Sequence, residues 1–341
     1  MPVASEVRAP GSGPVADGRL RLVTVPCASP EETFAGAVRR GLGGRPKSLP
    51  CRFFYDDAGS RLFEEICRLP EYYPTRTERA ILARAAGEIV EAAGEGVSLA
   101  ELGSGSSAKT RLLIEALLAR QPGLHYIPID ISAGFLEASS RGLLSRYPRL
   151  RVTAIAGEYR DALPHLPSRE GPILLLFLGG NVGNLDEEEA VALLGSAAAA
   201  LSPGDRILVG FDRVKERSVL ERAYDDGAGV TAAFNRNLLA RVNRELGGEF
   251  DLGSFRHAAP FVVERSRIEM HLVSRKSQAV RVAALGQEFL FEEGETIHTE
   301  NSHKYDRAAI GRIAAAAGLG VLGLWSDPHE WFSLVLLAPA R

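Results

Sequence analysis

The chain has 341 residues, 45% hydrophobic and 24% charged, a composition that supplies a packed interior and excludes a mostly disordered protein. The 40 Lys and Arg against 43 Asp and Glu leave a formal net charge of −3, and the basic residues are scattered, which argues against nucleic acid as a partner. The length exceeds what one hydrophobic core usually fills, so two domains are expected.

In chain order, residues 1–28 open in a stretch rich in Gly, Pro, Ala and Ser and read as a flexible tail. Ser29-Pro30-Glu31-Glu32 then offers an N-cap, a proline at the first helical position and a capping-box acid, predicting a helix to about Arg40. A loop carrying Phe53-Phe54-Tyr55-Asp56-Asp57 leads to a short helix over 60–67. Leu69-Pro70-Glu71-Tyr72-Tyr73-Pro74 is expected to be extended, because each proline disfavours helix in its predecessor. Thr75 and Glu78 have capping-box spacing and predict a helix through about Ala93.

From residue 97 the pattern becomes strand, turn, helix, repeated. Residues 97–102, 126–129, 152–155, 173–178 and 207–211 read as strands separated mostly by helices, which implies a parallel sheet covered on both faces. After Phe211 the rhythm breaks: a helical stretch near 218–246 precedes alternating segments at 267–274 and 280–291, an inserted α+β region with antiparallel strands. It resumes with a helix over 306–317 and strands at 321–325 and 333–338, whose short connection permits only an antiparallel pair. A parallel sheet ending in one antiparallel hairpin is the architecture of S-adenosyl-L-methionine (SAM) methyltransferases. The expected fold is therefore α/β, a Rossmann-like class I methyltransferase sheet with a second α+β substrate domain. Residues 29–75 and 213–302 are assigned to the substrate domain, and 76–212 and 303–341 to the methyltransferase domain.

No run is apolar for long enough to span a bilayer, and the N-terminus lacks a basic start followed by an apolar stretch, so a cytoplasmic protein without membrane contact is expected. Cys27, Cys51 and Cys67 form no CxxC pair and read as thiols, and the dispersed histidines give no metal-binding spacing.

Glu101-Leu102-Gly103-Ser104-Gly105 lies where the first strand of the alternating region turns toward a helix. Glycines there let backbone approach a ligand, and helical amides are free to donate. The third glycine of a dinucleotide fingerprint is replaced by Ala108, so pyrophosphate is not favoured, whereas Glu101 suits a cationic amino group. Asp130 closes the next strand, where a carboxylate accepts from ribose hydroxyls. Glu158 follows the third, placed to accept from an adenine amino group while Tyr159 covers the ring. The stretch Leu178-Gly179-Gly180-Asn181-Val182-Gly183-Asn184-Leu185 follows the fourth strand, and Asn184 is placed to hold an amine or carboxylate at the acceptor position.

From about Pro46 onward the chain resembles the histidine N-alpha-methyltransferases of ergothioneine biosynthesis. The resemblance runs through Phe54-Tyr55-Asp56, Leu69-Pro70-Glu71-Tyr72-Tyr73-Pro74-Thr75-Arg76, the Glu101 to Gly105 segment, Gly183-Asn184-Leu185, Ala223-Tyr224-Asp225-Asp226, Gly229-Val230-Thr231-Ala232-Ala233-Phe234-Asn235, Ile268-Glu269-Met270 and Thr299-Glu300-Asn301-Ser302. It implies that Tyr72, Asn184 and Tyr224 position an amino-acid substrate by its carboxylate and amine. Glu300 and Ser302 would hold an imidazole, Met270 would line the pocket, and Tyr55 would stand near the amine. Gly103, Lys109, Asp130 and Glu158 would belong to the site for SAM, released as S-adenosylhomocysteine. The implied activity is trimethylation of a small-molecule amino acid, histidine, by a monomer with no metal. Asn301 and Asn181-Val182 depart from the family's pattern. A tryptophan-derivative branch also resembles the chain; retaining both Glu300 and Ser302 favours imidazole, because a carboxylate and a hydroxyl can pair with two ring nitrogens and indole has one donor. A nucleic-acid or protein methyltransferase and a noncatalytic SAM-binding protein are the other readings.

Overall fold

The computed structural model describes residues 18–26, 33–167 and 171–340. The first described element corrects the reading of a tail through residue 28: strand β1 (Leu20–Thr24) pairs parallel with β5 (Leu150–Ala156). Leu20 and Leu22 of β1 pack into one layer of core and Val23 into the other, an alternation of period two that Arg21 obscures in so short a run. The cap expected at Ser29 to Glu32 lies outside the described residues; Thr33 caps α1 (Phe34–Gly43), accepting from the Gly36 amide at 3.2 Å.

After the short β2 (Lys47–Ser48), α2 (Asp57–Ile66) is capped by Asp56, which accepts from the Gly59 amide at 2.7 Å. Helix α3 (Tyr73–Ala93) starts three residues before the expected position, with Pro74 in its first turn, where a missing N–H costs nothing. Thr75 and Glu78 consequently fall inside the helix. Glu78 is fully buried instead of capping, and the segment before the helix is folded into turns, not extended.

The alternating region gives β3 (Ser98–Leu102), α4 (Arg111–Arg120), β4 (Leu124–Asp130), α5 (Ala133–Arg146), β5, α6 (Tyr159–Ala162), β6 (Ile173–Phe177), α7 (Glu187–Ala200) and β7 (Arg206–Asp212). The helix expected over 218–246 is two, α8 (Arg217–Tyr224) and α9 (Val230–Leu246), broken where Gly229 takes φ 75° and Asp226 accepts from the amides of Val230 and Thr231. The insertion then forms β8 (Phe255–Ala258), β9 (Phe261–Val262), β10 (Arg267–Ser274), a hairpin of β11 (Gln278–Val282) and β12 (Gln287–Phe291), and β13 (Thr296–His303). Helix α10 (Arg307–Ala316), β14 (Leu319–Ser326) and β15 (Phe332–Pro339) complete the chain.

Eight strands form the main sheet in the order β1-β5-β4-β3-β6-β7-β15-β14, parallel from β1 to β7, with β15 antiparallel to both β7 and β14. This is the expected doubly wound sheet with a terminal hairpin. Pleating sends Leu99, Leu174 and Leu176 into a core under α3 and α4, and Ala100, Leu175 and Phe177 into one under α7 and α10. A third core gathers Phe54 from the N-terminal segment with Phe234, Leu238, Phe255, Ile268 and Ile297 from the insertion. It lies against a second sheet, ordered β2-β13-β10-β8, in which β2 from the N-terminal segment pairs parallel with β13. No helix among the described residues is long and apolar enough to cross a membrane.

Candidate active site

The carboxyl ends of β3, β4, β5 and β6 open onto a cavity of about 630 Å³, where order reversal around β3 separates the loops of an open α/β sheet. Residues 48–52, Tyr55, Phe63 and Tyr72 roof it together with His298 to Asn301 of β13. Two halves of the chain that are far apart in sequence therefore share one space.

On the sheet side, the turn after β3 is built from left-handed residues: Gly103 at φ 70°, Gly105 at 48° and Ser107 at 52°. A Cβ at Gly103 would meet the Tyr159 hydroxyl at 2.6 Å and the Asn181 side-chain amide at 3.0 Å, so glycine is needed there for space as well as for φ. Asp130 fixes the same turn. Its carboxylate accepts from the amides of Gly105 at 2.9 Å and Ser132 at 3.0 Å, bonds that offset part of the upward pKa shift caused by burial. Each Asp130 oxygen retains a lone pair for a ligand hydroxyl.

Glu101 is buried at the end of β3 and accepts from the Thr110 hydroxyl at 2.7 Å and from the Tyr126 phenol. Burial pushes its pKa up to about 7, against the pull of those two donors and Lys109. Lys109 lines the cavity and pairs with the sealed carboxylate of Glu78. Glu158 stands at the rim, where its carboxylate pairs with Arg52 at 3.1 Å, so the side chain expected to meet adenine already bridges to the roof. Tyr159 packs edge-on against Phe177 at 5.6 Å between ring centres and lines the cavity.

The loop after β6 turns through Gly179 at φ 80° and Gly180 at φ 72° into a single 3₁₀ turn, Asn181–Asn184. A Cβ at Gly183 would meet the backbone oxygen of His303 at 3.0 Å; the loop is thus pressed against the end of β13, and Asn184 faces the cavity.

In the roof, the Arg76 guanidinium donates to the carbonyls of Leu69 at 2.6 Å, Pro70 at 2.7 Å and Tyr72 at 3.1 Å, which sets Tyr72 at the mouth of α3. Asp56 accepts from Asn237 at 2.9 Å and pairs with Arg244, anchoring the segment that carries Tyr55 to α9. Tyr55, Phe63 and Tyr72 form an aromatic wall, Tyr55 and Phe63 being 5.6 Å apart and Phe63 and Tyr72 6.3 Å. Glu300 joins them from β13. Burial pushes its pKa up to about 7 against the opposing charge of Lys304, and its own charge helps raise the phenol of Tyr55, already raised by burial.

Tyr224, Met270 and Ser302 do not line this cavity; all three are buried immediately behind it. Tyr224 meets Tyr72 edge to face at 6.0 Å, Met270 sits opposite Glu300 across the β10/β13 register, and Ser302 lies two residues along the same face of β13 as Glu300. Sequence reasoning missed Phe63, Glu78 and Lys304. Only the flanking apolar residues of a helical pattern signal Phe63, and the other two carry no local signal, because the partners that bury their charge, Lys109 and Gly179 for Glu78 and Asp212 for Lys304, are distant in the chain. Cys51 and Cys67 are free thiols on the cavity wall, and burial pushes Cys51 up to about 12, where it is unreactive. Among the described residues no cluster of His, Cys, Asp and Glu could hold a metal ion.

Residues 34–339 match the family model described as histidine-specific methyltransferase, SAM-dependent. The histidine N-alpha-methyltransferase of Mycolicibacterium smegmatis is 46% identical over 90% of this chain and 95% of its own length. That of Mycobacterium tuberculosis is 43% identical over 88% and 93%. Ergothioneine biosynthesis protein 1 of Neurospora crassa is 30% identical over 87% of this chain and 34% of its own length. With near-complete coverage by the family model and by two relatives of similar size, the chain belongs to the SAM-dependent, histidine-specific methyltransferase family.

Proposed function

We propose that this protein methylates the α-amino nitrogen of L-histidine with SAM, adding three methyl groups in succession to give hercynine in ergothioneine biosynthesis. The observation that carries the reading is the shared cavity: the glycine turn and Asp130 at one end, Tyr55, Tyr72 and Glu300 at the other, and Asn184 on the loop between. Residues 29–75 and 213–302 act as the substrate domain, and 76–212 with 303–341 as the methyltransferase domain.

The sheet side fits SAM. Gly105 has no atom within 4 Å of where a Cβ would stand, so the turn leaves room for a ligand, Asp130 keeps lone pairs for ribose hydroxyls, and Glu101 and Lys109 offer a carboxyl group and an ammonium to the two ends of an amino-acid moiety. When bound, SAM supplies a methyl group on a sulfonium and leaves as S-adenosylhomocysteine.

The chain's own contribution is positioning. Tyr72 and Asn184 hold the amino acid by its carboxylate and amine and Glu300 takes one imidazole nitrogen, while three residues act from just behind the wall: the Tyr224 phenol beside Tyr72, the Ser302 hydroxyl beside Glu300 for the second nitrogen, and Met270 closing the pocket. Tyr55 stays a neutral phenol, because burial and the nearby Glu300 charge both oppose its ionisation, and it orients the amine through an accepted hydrogen bond while the departing proton passes to water. The aromatic faces of Tyr55, Phe63 and Tyr72 suit an amine that ends as a quaternary ammonium, which can no longer donate a hydrogen bond but is still attracted to π-electrons.

The test is to incubate the purified protein with SAM and a panel of amino acids, following S-adenosylhomocysteine and product mass, with Glu300→Ala alongside. Trimethylated histidine formed selectively by the parent and lost in the variant is the expected result. Preferential methylation of an indole amino acid, or no methylated amino acid, would overturn it.

A further inference from the structure

Lys304 follows β13 directly, and its side chain is sealed from solvent. Its ammonium has three acceptors: Asp212 Oδ2 at 2.8 Å, Ser302 Oγ at 2.7 Å and the Tyr224 phenol oxygen at 3.2 Å. An ammonium donates three hydrogens and accepts none. Ser302 and Tyr224 are therefore both acceptors toward Lys304. They also lie 2.6 Å from each other, so one hydroxyl proton sits between them and a single proton is left to point elsewhere.

We infer that Lys304 is a positioning residue for acceptor recognition: by occupying a lone pair on each of Ser302 and Tyr224, it makes the pair one outward O–H donor beside the Glu300 carboxylate. A donor next to an acceptor selects a ring with one bare nitrogen and one N–H, which describes neutral imidazole and not indole, imidazolium or a phenyl ring. The inference rests on the reading that Ser302 and Glu300 meet the substrate ring.

The surroundings are built to keep Lys304 charged. Asp212 also binds Lys215, at 2.5 Å, and the Tyr73 phenol, at 2.8 Å, so two buried ammonium groups share one carboxylate. Burial lowers both lysines. At Lys304 the attraction of Asp212 and Tyr224 outweighs it and the pKa rises, whereas Lys215 falls to about 8 and is the one that can give up its proton. Lys215 touches Asp212, Tyr73 and the Arg213 carbonyl, not Ser302 or Tyr224. The two lysines thus separate charge balance at Asp212 from hydroxyl orientation.

The test compares Lys304→Met, Lys215→Met, Ser302→Ala and the double variant Ser302→Ala/Lys304→Met with the parent. The readouts are kcat and KM for histidine, and S-adenosylhomocysteine affinity by calorimetry. Lys304→Met is expected to raise histidine KM at least tenfold with cofactor affinity within twofold, and Lys215→Met to leave KM within twofold. In the Ser302→Ala background, Lys304→Met should lose most of its effect, since the Ser302–Tyr224 hydroxyl pair that it orients is already broken. Equal KM losses from both lysine variants, or additive losses in the double variant, would overturn the inference in favour of charge balance alone. If Lys304→Met does not fold, Lys304→Gln, which keeps a donor without the charge, takes its place with the same criteria at threefold. A parent that methylates no histidine would instead sink the proposed function, a separate outcome read before any variant.

Discussion

The carboxylate of Glu78 accepts the backbone N–H of Gly179 at 2.9 Å while holding the ammonium of Lys109. One side chain from the second turn of α3 thereby ties the loop after β6 to Lys109, which follows the glycine turn after β3. Glycine at 210 makes room for it: a Cβ there would meet a Glu78 oxygen at 2.4 Å. Glu78→Ala should destabilise the protein by about 1–3 kcal/mol, because it leaves the Gly179 N–H and the half-buried Lys109 ammonium without their acceptor, and should weaken S-adenosylhomocysteine binding at least tenfold. Urea titration and calorimetry read the two effects. Glu78→Gln, which keeps an acceptor for Gly179, should lose less on both, and equal losses would show that the Gly179 contact contributes nothing.

Gly103→Ala should cost about 1–3 kcal/mol for a non-glycine residue in the left-handed region and should cut cofactor affinity further, by pushing Tyr159 out of place. Removing the hydroxyl nearest the new methyl tests the steric part: Gly103→Ala/Tyr159→Phe should regain affinity relative to Gly103→Ala, although Tyr159→Phe alone gains nothing. If the double variant binds no better, the backbone angle and not the contact is responsible.

Glu300 and Glu101 both titrate near 7 in the folded chain against an ordinary value of 4.5, chiefly because burial disfavours the charged form. Between those two pH values the folded state holds protons that the unfolded state has released, so stability falls as pH rises through the window and the loss is complete above about 7. Glu300→Gln should flatten that fall in the ligand-free protein and raise neutral-pH stability by about 1–3 kcal/mol, measured as denaturant midpoints at pH 5 and pH 8. A parent whose midpoint is equal at both pH values would count against the raised carboxylates.

Asn184→Ala should lower kcat for histidine at least tenfold, because the side chain faces the cavity from the loop after β6, between the Gly103 turn and the roof. S-adenosylhomocysteine binding should stay within threefold. A variant with normal kcat would remove Asn184 from the acceptor site.

Seven of the eight strands of the main sheet were legible because each is a short apolar run bounded by turn residues, and the terminal hairpin because five residues cannot make a parallel crossover, whereas β1 was hidden in a stretch read as a tail. Asp130 and the glycines of its turn were legible for the same reason: position at a strand end decides what such residues do. Glu78 was misread since Thr-x-x-Glu spacing also occurs within a helix, and Pro74, in the first turn, marks where α3 begins. Lys304 could not be found by any local pattern, as its partners Asp212 and Tyr224 lie 92 and 80 residues away. Placing Met270 and Ser302 behind the cavity wall likewise needed the β10/β13 register, and placing Tyr224 needed its contact with Tyr72, neither of which periodicity reveals.

The pairing of β1 with β5 has a practical side. The region that matches the family model begins at residue 34, so a fragment trimmed to that match would keep Tyr55, Asp130, Asn184 and Glu300 yet lose Leu20–Thr24. The outer rim of β5 would then present a row of bare amide and carbonyl groups, the template on which chains add to one another. Such a fragment would be expected to self-associate during purification, and its loss of activity would report clumping and not the removal of any group that touches substrate.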